Sequence, residues 1–266
     1  MSGPVLSIRG LTVTLLTGEQ TDTVVDGVDF DLEEGEILAL VGESGCGKSK
    51  TAEAIMDLLP AGLSHREARR LRLGETELGT LNEAAMRRVR GRDIAMVFQE
   101  PMTALDPVFT AGQQLAAVFR RHQGLSRQLA RRAAGDLLKR VGLADIDRVL
   151  RSYPHELSGG MRQRVLIGMA MACRPRVLIA DEVTTALDVT TQAQVLDRLV
   201  SLCRELGTAM LLITHDLGVV AQYADRALVM EQGRIVEQAG VKELFAAPQA
   251  SYTAQLLGLS RRGSVQ

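Results

Sequence analysis

Apolar and polar residues alternate between Val5 and Leu16, where Val5, Leu6, Ile8, Leu11, Val13 and Leu15 hold the apolar positions, and a second apolar-rich run covers Val24 to Leu32. Thr17-Gly18-Glu19-Gln20 between them reads as a turn. The pattern predicts antiparallel β-structure leading into the strand Glu36 to Val41. A helical stretch from Lys50 to Leu59 follows and is stopped by Leu59-Pro60-Ala61-Gly62. His65 to Glu77 carries Arg66, Arg69, Arg70 and Arg72, but Glu67, Glu75 and Glu77 dilute the charge, so it reads as a solvated strand or loop.

Further along, Asn82 to Arg90 predicts a short basic helix, and Asp93 to Phe98 a buried strand ending at Gln99. From Pro101 to about Val149 the period becomes helical, with Leu115, Val118 and Phe119 on one stretch and Leu129, Ala133, Leu137, Leu138 and Val141 on another. Leu166 to Cys173 continues a helix, Arg174-Pro175-Arg176 ends it, and Val177 to Ala180 is a continuous apolar strand of the kind buried in parallel sheets. Helix 190–206, strand 209–213, helix 217–223 and strands 226–230 and 235–238 complete the alternation. The fold class is therefore α/β: a mostly parallel, doubly wound sheet with an N-terminal antiparallel β subdomain and an inserted α-helical subdomain. Residues 1–260 read as a single domain, with 1–99 and 165–247 as its core, about 100–164 as the helical part and 248–266 as a short tail that frays beyond Arg261.

Composition narrows the function classes. Hydrophobic residues make up 46% and charged residues 24% of the 266, and the net charge is −1, so no positive field argues for nucleic acid as a partner. Aromatic content of 3% without Trp also speaks against a base-stacking surface. Cys46, Cys173 and Cys203 are odd in number and widely spaced, which fits neither a disulfide framework nor a zinc site; a reducing, cytosolic setting is the simpler reading. No basic-then-apolar signal opens the chain and no apolar run approaches about 18 residues, so any membrane role is expected to come through a partner.

The chemistry centres on Gly42-Glu43-Ser44-Gly45-Cys46-Gly47-Lys48-Ser49, between a strand and a helix. That is the context of a phosphate-binding loop. Glycines let consecutive N–H groups turn toward phosphate oxygens, and the helix that follows adds its positive end. Lys48 is then a point charge for the β- and γ-phosphates, and Ser49 a hydroxyl for Mg²⁺. Cys46 inside the loop is either a target for thiol reagents or a space-filling residue. Asp181 and Glu182 end an apolar strand, where open α/β sheets bind ligands. Asp181 suits Mg²⁺, directly or through water, and Glu182 suits a general base for the attacking water. Leu157-Ser158-Gly159-Gly160-Met161 opens another helix and supplies a second anion-binding terminus, which one nucleotide on one chain leaves unused; a second subunit is the implication.

With these stretches the chain resembles the nucleotide-binding subunits of ATP-binding cassette transporters over nearly its whole length. Gly42 to Ser49 matches the Walker A loop, with Lys50 and Thr51 just beyond it, Gln99 the Q-loop glutamine, Leu157 to Met161 the signature motif and Val177 to Asp181 Walker B. Glu182 matches the catalytic glutamate, Ala186-Leu187-Asp188 the D-loop and His215 the switch histidine. The resemblance implies a P-loop NTPase that hydrolyses ATP, with Mg²⁺ held by Ser49, Gln99 and Asp181. It implies a head-to-tail dimer in which each ATP lies between Walker A of one subunit and the signature motif of the other. Two transmembrane permease subunits and an external substrate-binding protein complete the implied assembly, which places this chain at the cytoplasmic face of the inner membrane. The second cassette is either another copy or a paralogue.

Phe98 to Pro107, Tyr153 to Met161 and Ala247 to Leu257 look like stretches of the peptide and nickel importer branch, whose cargo is a peptide, nickel or a metal chelate. A cysteine-bearing C-terminal extension seen in many peptide-branch members is missing, which moves the reading toward the shorter nickel-type subunits. The rivals are the ATPase of an exporter or lipoprotein-release system, a soluble cassette acting on ribosomes or DNA, and a regulatory module without turnover. Three positions depart from the family pattern. Lys50 places a cation in the first turn of a helix, where it meets either a phosphate or solvent. Val183 stands where proline is usual, which is expected to loosen the turn at Glu182. No aromatic is evident for adenine; Leu15 and Val24 lie near its place.

Overall fold

The computed structural model describes residues 3–17, 20–98, 104–183 and 188–263. In chain order the elements are β1 (Leu6–Thr17), β2 (Gln20–Leu32), β3 (Ile37–Val41), α1 (Lys48–Ile55), β4 (Ser64–Glu67), β5 (Arg70–Leu73), β6 (Thr76–Glu77), α2 (Glu83–Val89), β7 (Ile94–Val97), α3 (Ala111–Gln123), α4 (Arg127–Arg140), α5 (Ile146–Arg151), α6 (Gly159–Met171), β8 (Val177–Asp181), α7 (Val189–Leu206), β9 (Ala209–Thr214), α8 (Leu217–Tyr223), β10 (Arg226–Glu231), β11 (Arg234–Gly240), α9 (Val241–Ala246) and α10 (Ser251–Gly263). They fall into two compact units, one of residues 1–87 with 209–266 and one of residues 88–208.

In the first unit β1 and β2 pair antiparallel from Leu6↔Leu32 to Thr17↔Gln20. Leu6, Ile8, Leu11, Val13, Val25, Phe30 and Leu32 are buried, so the predicted apolar positions form one packed face. The arginine-rich stretch continues this sheet, with β4 and β5 antiparallel to β1 and β6 antiparallel to β5. Arg66 has a structural task there: its guanidinium donates to the Ala54 carbonyl at 2.7 Å and pairs with Asp57 at 3.2 Å, covering the C-terminal end of α1. That helix stops at Ile55, short of Leu59, because Asp57 takes a left-handed φ of 53° and the Leu58 N–H turns back to the Glu53 carbonyl at 2.8 Å.

The second sheet of this unit runs β11-β10-β3-β9. β10, β3 and β9 are parallel and β11 returns antiparallel. Every residue of β3 and β9 is buried, which explains their unbroken apolar sequences. Ala39, Val41, Ala227 and Val229 pack with Leu217 and Val220 of α8, Val241 and Leu244 of α9 and Leu257 of α10. The sequence pattern predicts only a short tail beyond Pro248. The structure folds Ser251–Gly263 into α10, with Thr253 and Leu257 buried and Tyr252 and Leu256 packed beside the same core.

The second unit contains the parallel pair β7 and β8, in register from Ile94↔Val177 to Val97↔Ala180. Around it lie helices that begin on hydroxyl or carboxylate caps. Thr110 and Gln113 form a capping box for α3, and Ser126, Asp145, Ser158 and Asp188 accept N–H groups at the starts of α4, α5, α6 and α7. The periodic positions Leu115, Phe119, Leu137, Leu138 and Val141 are all buried, whereas Leu129 is 52% exposed. Among the described residues no helix is long and apolar enough to cross a membrane.

Candidate nucleotide site

β3 carries the chain into the loop at Gly42, and α1 begins at Lys48. Two glycines are dictated by close approach. A Cβ on Gly42 would lie 2.2 Å from the Met230 carbonyl oxygen, and one on Gly47, at φ 110°, would lie 2.4 Å from the Val24 carbonyl oxygen. The Cys46 carbonyl accepts the Gly233 N–H at 2.9 Å. The loop is thus wedged between β2 and the turn joining β10 to β11, while Glu43, Ser44 and Gly45 stay exposed. Its rigid side faces protein and its open side faces solvent.

Lys48 is 4% exposed, and its ammonium donates at 2.8 Å to both the Gly42 and Glu43 carbonyls. A cation held this deep at the N-terminal end of a helix, beneath exposed backbone, suits an anion with several oxygens. The Thr51 hydroxyl donates to the Gly47 carbonyl at 3.0 Å and ties the first turn of α1 to the loop. Burial pushes the Cys46 thiol up, with Lys48 pulling the other way, so of the two roles open to Cys46 its environment favours filling space. Lys50 is part-exposed, and Glu53, one turn on, pairs with it at 2.7 Å and supplies an anion to a cation in this position.

In the same sheet the register pairs Val41 with Thr214. The next residue on each parallel strand, Gly42 and His215, therefore leaves at the same edge, and His215 is exposed there. One contact escaped the sequence reading. The Glu43 N–H donates at 3.1 Å to the hydroxyl of Tyr252, on α10 and 209 residues away. No local pattern marks such a pair.

In the second unit β8 ends at Asp181, which is 5% exposed. Glu182 follows at a left-handed φ of 44°, which turns the chain sharply out of the strand. Val183, the next residue, is 3% exposed. Ser158 caps α6 by accepting the Met161 N–H at 3.3 Å. Gly160 passes so close to α7 that a Cβ would lie 2.7 Å from the Thr191 methyl. A groove of about 700 Å³ opens here, lined by Ser158, Gly159, Gly160, Met161, Arg164 and Asp188 among others. Arg164 donates to the Gly142 carbonyl at 2.9 Å, and burial together with nearby Arg198 lowers its pKa. Asp188 accepts the Thr191 N–H at 3.0 Å, which with its bond to the Thr191 side chain holds its carboxyl below the ordinary range; it is the N-cap of α7. Gln99 and the D-loop residues Ala186 and Leu187 lie outside the described residues.

The family model described as "ABC transporter" matches residues 25–185. The chain belongs to the ABC transporter family. Its fold is that of the P-loop NTPases and is shared with solved ATP-binding cassettes. It is 48% identical over 260 residues to the peptidoglycan transport ATP-binding protein YejF of Agrobacterium fabrum, covering 98% of this chain and 48% of that one. It is 51% identical over 259 residues to a putative peptide import ATP-binding protein of Brucella melitensis, covering 96% and 77%. It is 49% identical over 265 residues to the glutathione import ATP-binding protein GsiA of Escherichia coli, covering 96% and 42%. The chain thus spans about half the length of the first and third of these ABC relatives. Among solved structures, the ATP-binding cassette MJ0796, as a dimer in a post-hydrolysis state bound to ADP and Pi, superposes with TM-score 0.78 at 27% identity, covering 89% of this chain and 98% of that one.

Proposed function

We propose that this chain binds and hydrolyses ATP as the energy-supplying cassette of a membrane importer, with peptides as the cargo class. The observation that carries the reading is the loop from Gly42 to Ser49, an open backbone cradle with the Lys48 ammonium buried at its base. Loop amides and Lys48 bind the phosphates, with Glu43, Ser44, Gly45, Cys46, Gly47, Ser49, Lys50 and Thr51 forming the rest of the cradle, and Leu15 and Val24 offer adenine an aliphatic surface. Glu182 takes the proton of the attacking water as its oxygen bonds to the γ-phosphorus and the bond to the bridging oxygen breaks, and His215 and Gln99 attend the γ-phosphate.

The donors Ser49 and Asp181, with Gln99, are oxygen groups of the kind Mg²⁺ selects. Bound there, Mg²⁺ supplies charge neutralisation for the β- and γ-phosphates. Leu157, Ser158, Gly159, Gly160 and Met161, with Asp188, serve the nucleotide of a second cassette, a role in keeping with the dimeric state named for MJ0796. Permease subunits in the membrane and an external binding protein complete the system, and the chain lies at the cytoplasmic face of the inner membrane, held by the permease. The names of the relatives support peptide cargo over nickel or a metal chelate. Phosphate release by the chain with its partner cassette, wild type against Glu182→Gln, tests the assignment; turnover unchanged in the variant overturns it.

A further inference from the structure

α10 does more than close the chain. The chain entering it is fixed by Glu237 of β11, a 9% exposed carboxylate whose two oxygens accept the Gln249 and Ala250 N–H groups at 2.8 and 2.9 Å. Those are the amides just before the helix, so the carboxylate acts as a cap supplied from a distant strand. Leu257 of the same helix is buried in the core with Val41, the residue immediately before the loop. Between these two anchors Tyr252 extends its hydroxyl to the Glu43 N–H. Glu43 is otherwise exposed, and its carbonyl already accepts the Lys48 ammonium. The two peptides that flank Glu43 are therefore each gripped, the first from the helix side through the Glu43 N–H and the second from inside the loop through the Glu43 carbonyl.

We propose that Tyr252 is a positioning residue for nucleotide binding, a clamp through which the C-terminal helix holds the phosphate loop in its binding shape. The proposal rests on the reading of residues 42–49 as the nucleotide site. A loop already ordered loses less freedom when the phosphates arrive, so the clamp tightens binding of ATP and ADP alike without touching the reacting atoms. Uniform binding of that kind appears in KM and leaves kcat unchanged.

Tyr252→Phe removes only the hydroxyl and keeps the ring against the core. The expected result is ADP affinity and ATP KM weakened about two- to tenfold, the range for one hydrogen bond, with kcat unchanged. Hydrogen–deuterium exchange on the ligand-free protein reads the clamp without any nucleotide: the Glu43 amide should exchange several-fold faster in the variant, while amides of β3 stay as slow as in the wild type. Unchanged exchange at Glu43 overturns the clamp, and so does faster exchange with wild-type ADP affinity and KM. Failure of the nucleotide-site reading looks different, because the wild-type chain itself then fails to bind ADP while the exchange comparison still reports on the bond.

Discussion

Replacing Gly47 by alanine tests the loop at its tightest point. The residue sits at φ 110°, outside the regions an L-residue adopts at low energy, and a Cβ there would be 2.4 Å from the Val24 carbonyl oxygen and 2.9 Å from the Met230 methyl. The methionine methyl can swing aside, but the carbonyl belongs to the backbone of β2 and cannot. Backbone strain contributes about 1–3 kcal/mol and the forced overlap a further ~1–3 kcal/mol if the loop keeps its shape. The lower-energy response is for the loop to shift outward from β2, which separates the start of α1 from the cradle. Re-forming the cradle on binding then costs about 2–6 kcal/mol, a loss of roughly 30-fold or more in affinity. Titration with a fluorescent ADP analogue, with circular dichroism to verify that the sheets persist, reads this directly. A folded Gly47→Ala protein with wild-type ADP affinity refutes the claim that contact with Val24 sets the shape of the loop.

Two further predictions concern stability and reactivity. Burial works to raise the Glu237 carboxyl, but the Gln249 N–H, the Thr253 hydroxyl and the Ala250 N–H together outweigh it and hold its pKa below the ordinary carboxylate value, so its contribution is present above that value and lost as pH falls through the depressed one. Wild type should therefore melt above Glu237→Gln at neutral pH, with the gap closing in acid; a gap that does not narrow contradicts the capping role of Glu237. Burial raises the thiols of all three cysteines, pushing Cys203 up to about 12, and only Cys173 is half-exposed, so iodoacetamide should label Cys173 first, Cys46 more slowly and Cys203 last, and faster labelling of Cys46 than of Cys173 would contradict the burial of Cys46 in the loop.

Several strands were legible because their residues obey a single constraint. Ile37 to Val41, Val177 to Asp181 and Ala209 to Thr214 are buried along their whole length, and such strands announce themselves as apolar runs. The cradle was legible for a related reason, since Gly42 and Gly47 fill positions where any side chain collides with backbone. What stayed hidden depends on partners far away in sequence. α10 is read poorly in isolation because the amides just before it are held by Glu237 of β11 and its buried face is completed by α8 and α9. Tyr252 belongs to the loop only through that packing. The early end of α1 turns on a left-handed Asp57, a conformation its residue type permits but does not demand. Lys50 stands in the first turn of α1 because Glu53 pairs with it, a contact set by side-chain geometry rather than by the loop motif.

The claim that this chain is an ATP-hydrolysing cassette meets its most direct test in Glu182. Phosphate release and ATP binding should be measured side by side for the wild type and Glu182→Gln, each assembled with the partner cassette. The account predicts that the variant binds ATP as tightly as the wild type while its turnover falls by about a hundredfold or more, the usual contribution of a general base. Turnover at the wild-type rate would contradict it.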